Sequence, residues 1–464
     1  MTTYKASHSS FTHDESFTYL SYVKKSIIGI ITLEEPVSAN NHILNSLSMK
    51  VVDKILNPTP FNLRLPNLIG HLFFITFSAL ISLNFRNNFL RISSFILLNA
   101  NLYLLDIFSL ARGYGLSLGF LMAHWYFFGR VFFQKTPDLS FRLSLIFLLL
   151  SFFSNFSILY YVVSFFLIIS LFLIKIKSSI INWEFVRRNS YVLISVIIVV
   201  IVIIIGPIAK LIKHNQLYFG GNRNIFDDTI NSLVFYSLDP INLSNNLVHL
   251  INTLTLISII ILTYWFFRKL YLNKILNLFF FSTGCMLFIA IIQIALFYLI
   301  DTRYLIQRTA IFLIPLYMLS VLYFIDDINI LLVHKFTAMI SLITGLIVII
   351  YLPKHNSLNW KYDAENELLI SNLEKYYYQS NKSEKLKLGI DWIFQPSLNF
   401  YRATTKTGLW LDTLKREGFE DGNYEFYFVE SSNMSKFVDT NQFKIFKKFP
   451  VTGNLLIKNE NFDK

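Results

Sequence analysis

The chain is a succession of long apolar runs separated by short polar segments. A helix that crosses a membrane needs about 20 predominantly apolar residues, and ten runs approach that length. They lie at 67–85, 92–109, 113–133, 140–154, 157–174, 190–208, 248–267, 275–299, 309–324 and 336–352. The pattern therefore predicts an all-α polytopic membrane protein with about ten spans.

Two segments before the first run have an amphipathic pattern instead. Residues 15–31 and 43–56 repeat apolar side chains at helical spacing and carry lysines on the opposite face. An apolar face combined with a basic polar face is typical of helices that lie in the membrane interface. We therefore expect two interfacial helices in the first external loop.

The C-terminal residues have the pattern of a soluble domain. It predicts a helix near 363–378, a strand near 385–390, a helix near 395–404, a strand at 424–429 and a closing hairpin around Thr452-Gly453. The chain should then have three parts. They are an external first loop at 1–66, a transmembrane bundle at 67–352 with an external loop at 209–247, and a small external α/β domain at 353–464.

Composition supports the membrane class. Of 464 residues, 54% are hydrophobic and 15% are charged, whereas soluble domains are about 25% charged. The net charge of +12 is typical of basic cytoplasmic loops and anionic lipid partners. We therefore predict membrane lipids, and no nucleic acid, as partners. Cys285 is the only cysteine in the sequence, which excludes a disulfide framework and a cysteine metal cluster.

Basic residues cluster in alternate loops, and this bias predicts orientation. The positive-inside rule assigns to the cytoplasm the loops that carry Arg86, Arg91, Arg130, Lys135, Lys175, Lys177, Arg187, Arg188, Arg268, Lys269, Lys274 and Lys335. The N-terminal segment, the 209–247 loop and the C-terminal domain are then on the periplasmic side of the cytoplasmic (inner) membrane. An exported N-terminal segment needs a preceding span, so we expect a further helix upstream and eleven in total.

The polar stretch Thr12-His13-Asp14-Glu15 carries the candidate catalytic acids. Neighbouring residues on a regular backbone point in different directions, so we favour Asp14 and keep Glu15 as the second candidate. As a general base, Asp14 would take a proton from an acceptor hydroxyl. A lipid phosphate leaves as a stabilised anion and needs no proton, so one carboxylate suffices. Capping of a helix by Thr12 or Asp14 is the alternative interpretation.

Basic and polar residues expected on the external side are candidate substrate-binding groups. Guanidinium groups match phosphate oxygens, and Arg308 is the strongest candidate, although an arginine at the end of a span can simply snorkel. The full set is His13, Asn41, His42, Arg64, Arg112, Tyr114, Arg223, Arg303 and Arg308. The spacing of the histidines does not define a divalent-metal site, and Asp227-Asp228 is more typical of a helix cap. His13, His42 and Asp14 could in principle bind a divalent metal, but the spacing does not support it, so we predict no metal and no other cofactor.

The order of these motifs resembles that of a known family. The motifs are Asp14-Glu15 in a first external loop, Arg64-Leu65-Pro66 entering a span, Ala111-Arg112-Gly113-Tyr114-Gly115-Leu116, Phe219-Gly220-Gly221, and Arg308 to Pro315. They look like the bacterial multispan GT-C glycosyltransferases. Within that superfamily they are similar to the protein-mannosyltransferase-like or lipid-A aminoarabinose-transferase-like branch.

This resemblance implies a glycosyltransferase. It implies a polyprenyl-phosphate sugar donor, a lipid, glycan or protein acceptor, and single displacement with inversion. Asp14 takes the base role and Arg308 a donor-phosphate role. The alternatives are a transporter or flippase of lipid-linked glycans, and a membrane scaffold that displays the C-terminal domain. Transport would favour ionisable groups at mid-membrane, whereas the candidates here cluster at the outer ends of the spans.

Overall fold

The computed structural model describes residues 1–132, 136–175, 183–272, 277–352, 355–416, 418, 423–437 and 442–462. Lys135, Lys177 and Lys274, on which the predicted orientation partly rests, lie outside these residues. The chain forms two compact units. The sheet unit comprises Met1–Ile27, Ser46–Leu65 and Pro353–Lys464, and the bundle unit comprises Ile28–Asn45 and Pro66–Leu352. The three predicted parts follow chain order, whereas the sheet unit gathers segments from both ends of the chain.

The described residues are mainly helical. The α-helices are α1 (Thr2–His8), α2 (His13–Thr18), α3 (Ile27–Ile31), α4 (Ile43–Ile55), α5 (Pro60–Ser82), α6 (Asn88–Asn99), α7 (Leu102–Phe108), α8 (Gly113–Arg130), α9 (Pro137–Ser154), α10 (Leu159–Lys175), α11 (Trp183–Lys213), α12 (Asn231–Leu238), α13 (Asn245–Tyr271), α14 (Leu278–Ile300), α15 (Gln307–Ala310), α16 (Leu313–Ile328), α17 (Leu331–Tyr351), α18 (Asn366–Gln379) and α19 (Gln395–Thr404). The strands are β1 (Leu388–Ile390), β2 (Phe426–Val429), β3 (Phe443–Lys448) and β4 (Leu455–Asn459).

Helices occupy all ten apolar runs, which confirms the predicted all-α polytopic class. Among the described residues, seven helices are long and apolar enough to cross a membrane, and the bent pair α6–α7 makes an eighth. The runs at 113–133 and 309–324 form α8 and α16, which are not among these. The count by length and composition is therefore lower than the predicted ten.

The run at 92–109 is not one continuous span. It is broken between α6 and α7, and the two helices are bent by 57°. The Asn101 side chain accepts a hydrogen bond from the Leu104 N–H and so caps a new helix start. Similarly, Asn155 accepts from the Ser157 N–H at the break between α9 and α10, where the sequence also predicts a boundary.

Small and polar residues bring the helices of the bundle unit together. A Cβ on Gly119 of α8 would lie 2.2 Å from the carbonyl oxygen of Gly70 in α5, so these helices touch through their backbones. His124 of α8 contacts the carbonyl oxygen of Ser144 at 3.0 Å and the hydroxyl of Tyr161 at 2.8 Å. Such buried hydrogen bonds link helices where lipid offers no competing partner.

The sheet unit contains a four-stranded mixed sheet in the order β1-β2-β4-β3. β1 is parallel to β2, and β4 is antiparallel to both β2 and β3. Tyr427, Val429, Leu455 and Ile457 form a buried cluster on it. Gly453, with φ of +76°, turns the β3–β4 hairpin. The predicted C-terminal helices, strands and hairpin are therefore confirmed within a few residues.

The first amphipathic segment is helical but interrupted. Residues 15–31 pass from α2 into a π-helix at Tyr19–Val23 and then, after a break, into α3. Lys50 Nζ donates hydrogen bonds to the carbonyl oxygens of Val23 and Lys25, at 2.8 and 2.5 Å. A lysine that satisfies terminal carbonyl groups stabilises a helix end, so the single predicted helix stops here. The second segment forms α4 as predicted.

Candidate active site

Asp14 lies in the first turn of α2, behind a complete capping box. Thr12 Oγ1 accepts from the Glu15 N–H at 3.4 Å, and Glu15 Oε2 accepts from the Thr12 N–H at 2.9 Å. The capping interpretation is thus confirmed for Thr12, with Glu15 as its partner. The half-buried Asp14 is not a member of this box.

Glu15 is held by Arg64 in the interior of the sheet unit. Arg64 Nε and Nη2 donate to the two Glu15 carboxylate oxygens at 2.8 Å each, and both side chains are fully buried. Arg64 also donates to the carbonyl oxygens of Ala6, Ser9 and Ser10. This geometry gives Glu15 and Arg64 a structural role and does not support them as base or donor-binding groups.

His13 joins α2 to the C-terminal part of the same unit. Its backbone N–H donates to Asp363 Oδ2 at 2.6 Å, and its Nδ1 donates to the carbonyl oxygen of Ile393 at 2.6 Å. Asp363 Oδ1 accepts from Asn366 Nδ2 at 2.7 Å and from Ser397 Oγ at 3.0 Å. The pKa of Asp363 is raised to about 8, mainly by burial, with a smaller contribution from the Asp14 carboxylate; the hydrogen bonds from His13, Ser397 and Asn366 oppose this rise.

In the bundle unit, Arg112 lies at the centre of a second polar cluster. Its Nη1 donates to the carbonyl oxygen of Asn40 at 3.3 Å, and Nη2 donates to the Asn40 side chain. Nη2 also lies 3.3 Å from His42 Nε2. The ring of Tyr114 packs edge-on against His42 at 4.6 Å and lies 5.8 Å from the Arg112 guanidinium. The sequence-predicted His42, Arg112 and Tyr114 are thus brought together.

The turn that presents Arg112 is fixed by amides and a glycine. Asn67 Nδ2 donates to Asn45 Oδ1 at 2.8 Å, and Asn45 Nδ2 donates to the carbonyl oxygen of Ala111 at 3.0 Å. A Cβ on Gly113 would lie 1.9 Å from the carbonyl oxygen of Ser154 and 2.6 Å from the Cβ of His42. Only glycine therefore permits this close approach.

Asn41 has a supporting contact in the same region. Its buried Nδ2 donates to the carbonyl oxygen of Ile30 at 2.8 Å, which closes the loop that leads to His42. Asn41 thus shapes the loop through its side chain.

Arg308 lies against the external loop predicted at 209–247. Its guanidinium is 4.2 Å from the centre of the Phe219 ring, a cation–π contact. Backbone hydrogen bonds between Gly221 and Tyr304, at 2.9 and 3.0 Å, tie the loop to the segment before α15. Thr229 Oγ1 adds a hydrogen bond to the carbonyl oxygen of Leu305 at 2.6 Å.

The other two predicted arginines are exposed. Arg223 forms an ion pair with the buried Asp228, at 3.3 Å between Nε and Oδ1. Arg303 packs against Gly220, where an added Cβ would lie 2.4 Å from the Arg303 Cβ. Asn224 caps the π-helix Ile225–Ile230 through the N–H groups of Phe226 and Asp227. Within the described ranges no group of three or more His, Cys, Asp or Glu side chains is placed to hold a metal ion.

Electrostatics link His42, Arg112 and Arg308. Burial lowers the pKa of His42 well below its usual range, and the positive charges of Arg112 and then Arg308 lower it further. His42 is therefore neutral at physiological pH. It can accept a hydrogen bond without adding a third positive charge beside the two guanidinium groups.

Two buried polar residues, Tyr103 and Asp363, are not part of any motif recognised in the sequence. Tyr103 is fully buried, stacks on Tyr236 at 5.1 Å between ring centres, and lies within electrostatic range of Arg308. Its hydroxyl has no hydrogen-bond partner within the described part of the chain. Asp363 is equally unremarkable in sequence. Both sit among ordinary apolar or soluble-type residues, so only the fold reveals them.

A largely apolar cavity of about 720 Å³ opens within the bundle unit. This size falls in the range of about 300–1,000 Å³ usual for small-molecule sites. Leu102, next to Tyr103, and Thr229, bonded to Leu305, line it. The lining therefore includes the residue before Tyr103 and a residue that is hydrogen-bonded to the segment leading into α15. Its few polar lining groups include Gln293, whose Oε1 accepts from the Leu305 N–H at 2.9 Å.

The fold defines a class of membrane protein. The chain contains a bundle unit of apolar helices and a unit with a small four-stranded sheet. The chain is similar to the crystal structure of ArnT from Cupriavidus metallidurans in the apo state, with a TM-score of 0.51 and 8% sequence identity. The match covers 98% of this chain and 95% of that one. The aminoarabinose-transferase-like resemblance is therefore confirmed at the level of the fold.

Comparison by sequence identifies no relative. No protein-family model matches the chain, and no curated protein matches it in sequence.

Proposed function

We propose that this protein is a membrane glycosyltransferase that moves a sugar from a polyprenyl-phosphate donor to an acceptor hydroxyl. The observation that carries the proposal is the Arg112 guanidinium 3.3 Å from His42 Nε2, with Arg308 within electrostatic range of the same ring, in a bundle unit that also contains the apolar cavity. A positive cluster and an apolar cavity in the same unit suit an amphiphile with an anionic head and a hydrocarbon tail. The acceptor is a lipid, a glycan or a protein.

Arg112 and Arg308 take the donor phosphate in this proposal. A planar guanidinium offers two parallel N–H donors to phosphate oxygens, which orients as well as binds. Tyr103, with its buried hydroxyl and its proximity to Arg308, is a further donor for the same group. The polyprenyl chain occupies the cavity lined by Leu102 and Thr229.

Asp14 is the general base. The acceptor O–H proton passes to the Asp14 carboxylate while that oxygen attacks the anomeric carbon of the sugar. The bond from the anomeric carbon to the phosphate oxygen breaks, and its electron pair leaves with the polyprenyl phosphate. A single displacement of this kind inverts the anomeric configuration. Glu15 is unsuited to the role because Arg64 and the Thr12 N–H engage both of its oxygens.

The test compares Asp14→Asn with the wild-type protein in a transfer assay using a polyprenyl-phosphate sugar. We expect kcat to fall by about 10²–10⁴-fold, the usual contribution of a general base. Asp412→Asn, the same chemical change at an exposed position of the sheet unit, is the matched control and should retain activity. Undiminished transfer by Asp14→Asn would overturn the assignment, and a product of retained configuration would overturn single displacement.

A further inference from the structure

The segment before Asp14 is bound to the C-terminal part of the sheet unit at several points. Lys5 Nζ donates to the carbonyl oxygen of Asn356 at 2.7 Å, and Ser10 Oγ donates to that of Ala364 at 2.9 Å. The Phe11 N–H donates to the hydroxyl of Tyr401 at 2.9 Å. The sequence separation of these contacts is about 350–390 residues. The path of the N-terminal segment is therefore set by residues from the other end of the chain.

Asp363 contacts the residue immediately before Asp14. Its Oδ2 accepts from the backbone N–H of that residue, His13, at 2.6 Å. The first N–H groups of a helix have no partner within the helix, so a carboxyl oxygen from outside the helix can satisfy one of them. Thr12 satisfies the Glu15 N–H and Asp363 satisfies the His13 N–H. Together they fix the first turn of α2, which carries Asp14.

We propose that Asp363 is a positioning residue that holds the Asp14 carboxylate in its reactive orientation through the backbone of His13. This inference rests on the proposed role of Asp14 as the base. It adds a function for the C-terminal part of the sheet unit, which contributes to the reaction by orienting the base.

The surroundings of Asp363 favour a side chain that both donates and accepts. Asn366 Nδ2 and Ser397 Oγ lie within hydrogen-bond distance of Asp363 Oδ1. Ser397 Oγ is also 3.1 Å from the carbonyl oxygen of Phe394, to which it can donate. A protonated Asp363 would donate to Ser397 and still accept from His13. The Asn366 Oδ1 has no hydrogen-bond partner among the described atoms. An asparagine at 363 could therefore donate to a rotated Asn366 amide and keep the His13 contact.

The experiment compares Asp363→Ala and Asp363→Asn in the full-length protein. We expect Asp363→Ala to lower kcat on the order of 10–100-fold, since a displacement of about 1 Å can have that effect. The KM for the donor should change less than threefold, because α2 does not carry the phosphate-binding arginines. Asp363→Asn should restore most of the activity. Hydrogen exchange should accelerate at the amides of residues 13–18 in Asp363→Ala and remain near wild type in Asp363→Asn.

Glu425→Ala provides the matched control. Glu425 is a buried carboxylate of the same unit that accepts from Lys382 Nζ at 2.7 Å and from the Tyr376 hydroxyl at 3.0 Å. Its loss perturbs the sheet without removing a contact to α2. An equal loss of kcat and an equal rise of exchange in Glu425→Ala and Asp363→Ala would overturn the positioning role. If Asp363→Ala is fully active and Asp14→Asn is inactive, only the positioning role of Asp363 is overturned. If Asp14→Asn is active, the proposed function is overturned as well.

Discussion

Arg64 and Glu15 form a bidentate ion pair in which neither side chain is exposed to solvent. The Nε–Oε1 and Nη2–Oε2 distances are both 2.8 Å. A buried ion pair contributes little relative to well-packed apolar residues, but a single partner left alone in the interior is strongly destabilising. The pair therefore fixes Glu15 in the interior, whereas its sequence neighbour Asp14 is half-buried.

Replacement of Arg64 by alanine should destabilise the sheet unit. We expect the free energy of unfolding to fall by about 3–5 kcal/mol, because the Glu15 carboxylate would remain buried without its partner. Chemical denaturation in detergent measures this change. Lys24→Ala, which removes the largely exposed partner of Asp53, should cost less than about 1 kcal/mol. Equal effects of the two variants would contradict a structural role for the Arg64–Glu15 pair.

Arg308→Lys should weaken donor binding while the charge is kept. A lysine ammonium lacks the planar pair of donors that suits phosphate, so we expect KM for the donor to rise about tenfold in the transfer assay. Phe219→Leu, which removes the ring under the guanidinium, should raise KM by a smaller factor, since a cation–π contact is worth about 0.5–2 kcal/mol. An unchanged KM in both variants would argue against a donor-binding role for Arg308.

A bulky residue in the cavity should exclude the hydrocarbon tail. Ala290 lines the cavity on α14, whereas the adjacent Ile291 is 58% exposed and does not line it. We expect Ala290→Trp to weaken binding of a polyprenyl phosphate, measured directly with the purified protein, and Ile291→Trp to leave it unchanged. Equal affinities of the wild type, Ala290→Trp and Ile291→Trp would show that the cavity does not bind the polyprenyl chain of the donor.

The pH dependence of stability should reveal Asp363. Its pKa is raised from 3.8 to about 8 by burial, with the His13, Ser397 and Asn366 hydrogen bonds opposing the rise and Asp14 adding to it. The folded state thus holds the proton more tightly than the unfolded state. The contribution of Asp363 to stability is fully present below about pH 4 and is lost as the pH rises towards 8. Melting temperatures of Asp363→Asn between pH 4 and 9 should show a flatter profile than the wild type.

Membrane orientation can be tested with a single introduced cysteine. The natural Cys285 is buried, and Leu409 of the sheet unit is 69% exposed. If the sheet unit is external, as the positive-inside pattern predicts, Leu409→Cys should react with a membrane-impermeant maleimide in intact cells. Labelling only after the cells are lysed would reverse the predicted orientation, and the wild-type protein reports any reaction of Cys285.

The sequence pattern is a good guide to the helices and strands. A chain in lipid must satisfy its backbone hydrogen bonds internally, so long apolar runs such as 157–174 become helices whatever their neighbours. The short aromatic-rich run at 424–429 likewise predicts a strand, and β2 forms there. The bend at Asn101 is harder to predict, because it depends on which side chain captures the Leu104 N–H.

Residue types and order also bring out Asp14, His42, Arg112 and Arg308 as candidates, and the fold places the last three in one electrostatic environment. The sequence alone does not separate Glu15 from Asp14, and it does not reveal Tyr103 or Asp363. Only the tertiary structure shows that Glu15 is hydrogen-bonded to Arg64, 49 residues later in the sequence, and that Asp363 accepts from the N–H of His13, 350 residues earlier. Hydropathy and spacing act over a few turns of helix, so they determine class and local structure. Contacts between distant residues depend on the path of the whole chain, and that path decides that Glu15 is buried against Arg64 while its neighbour Asp14 is half-buried.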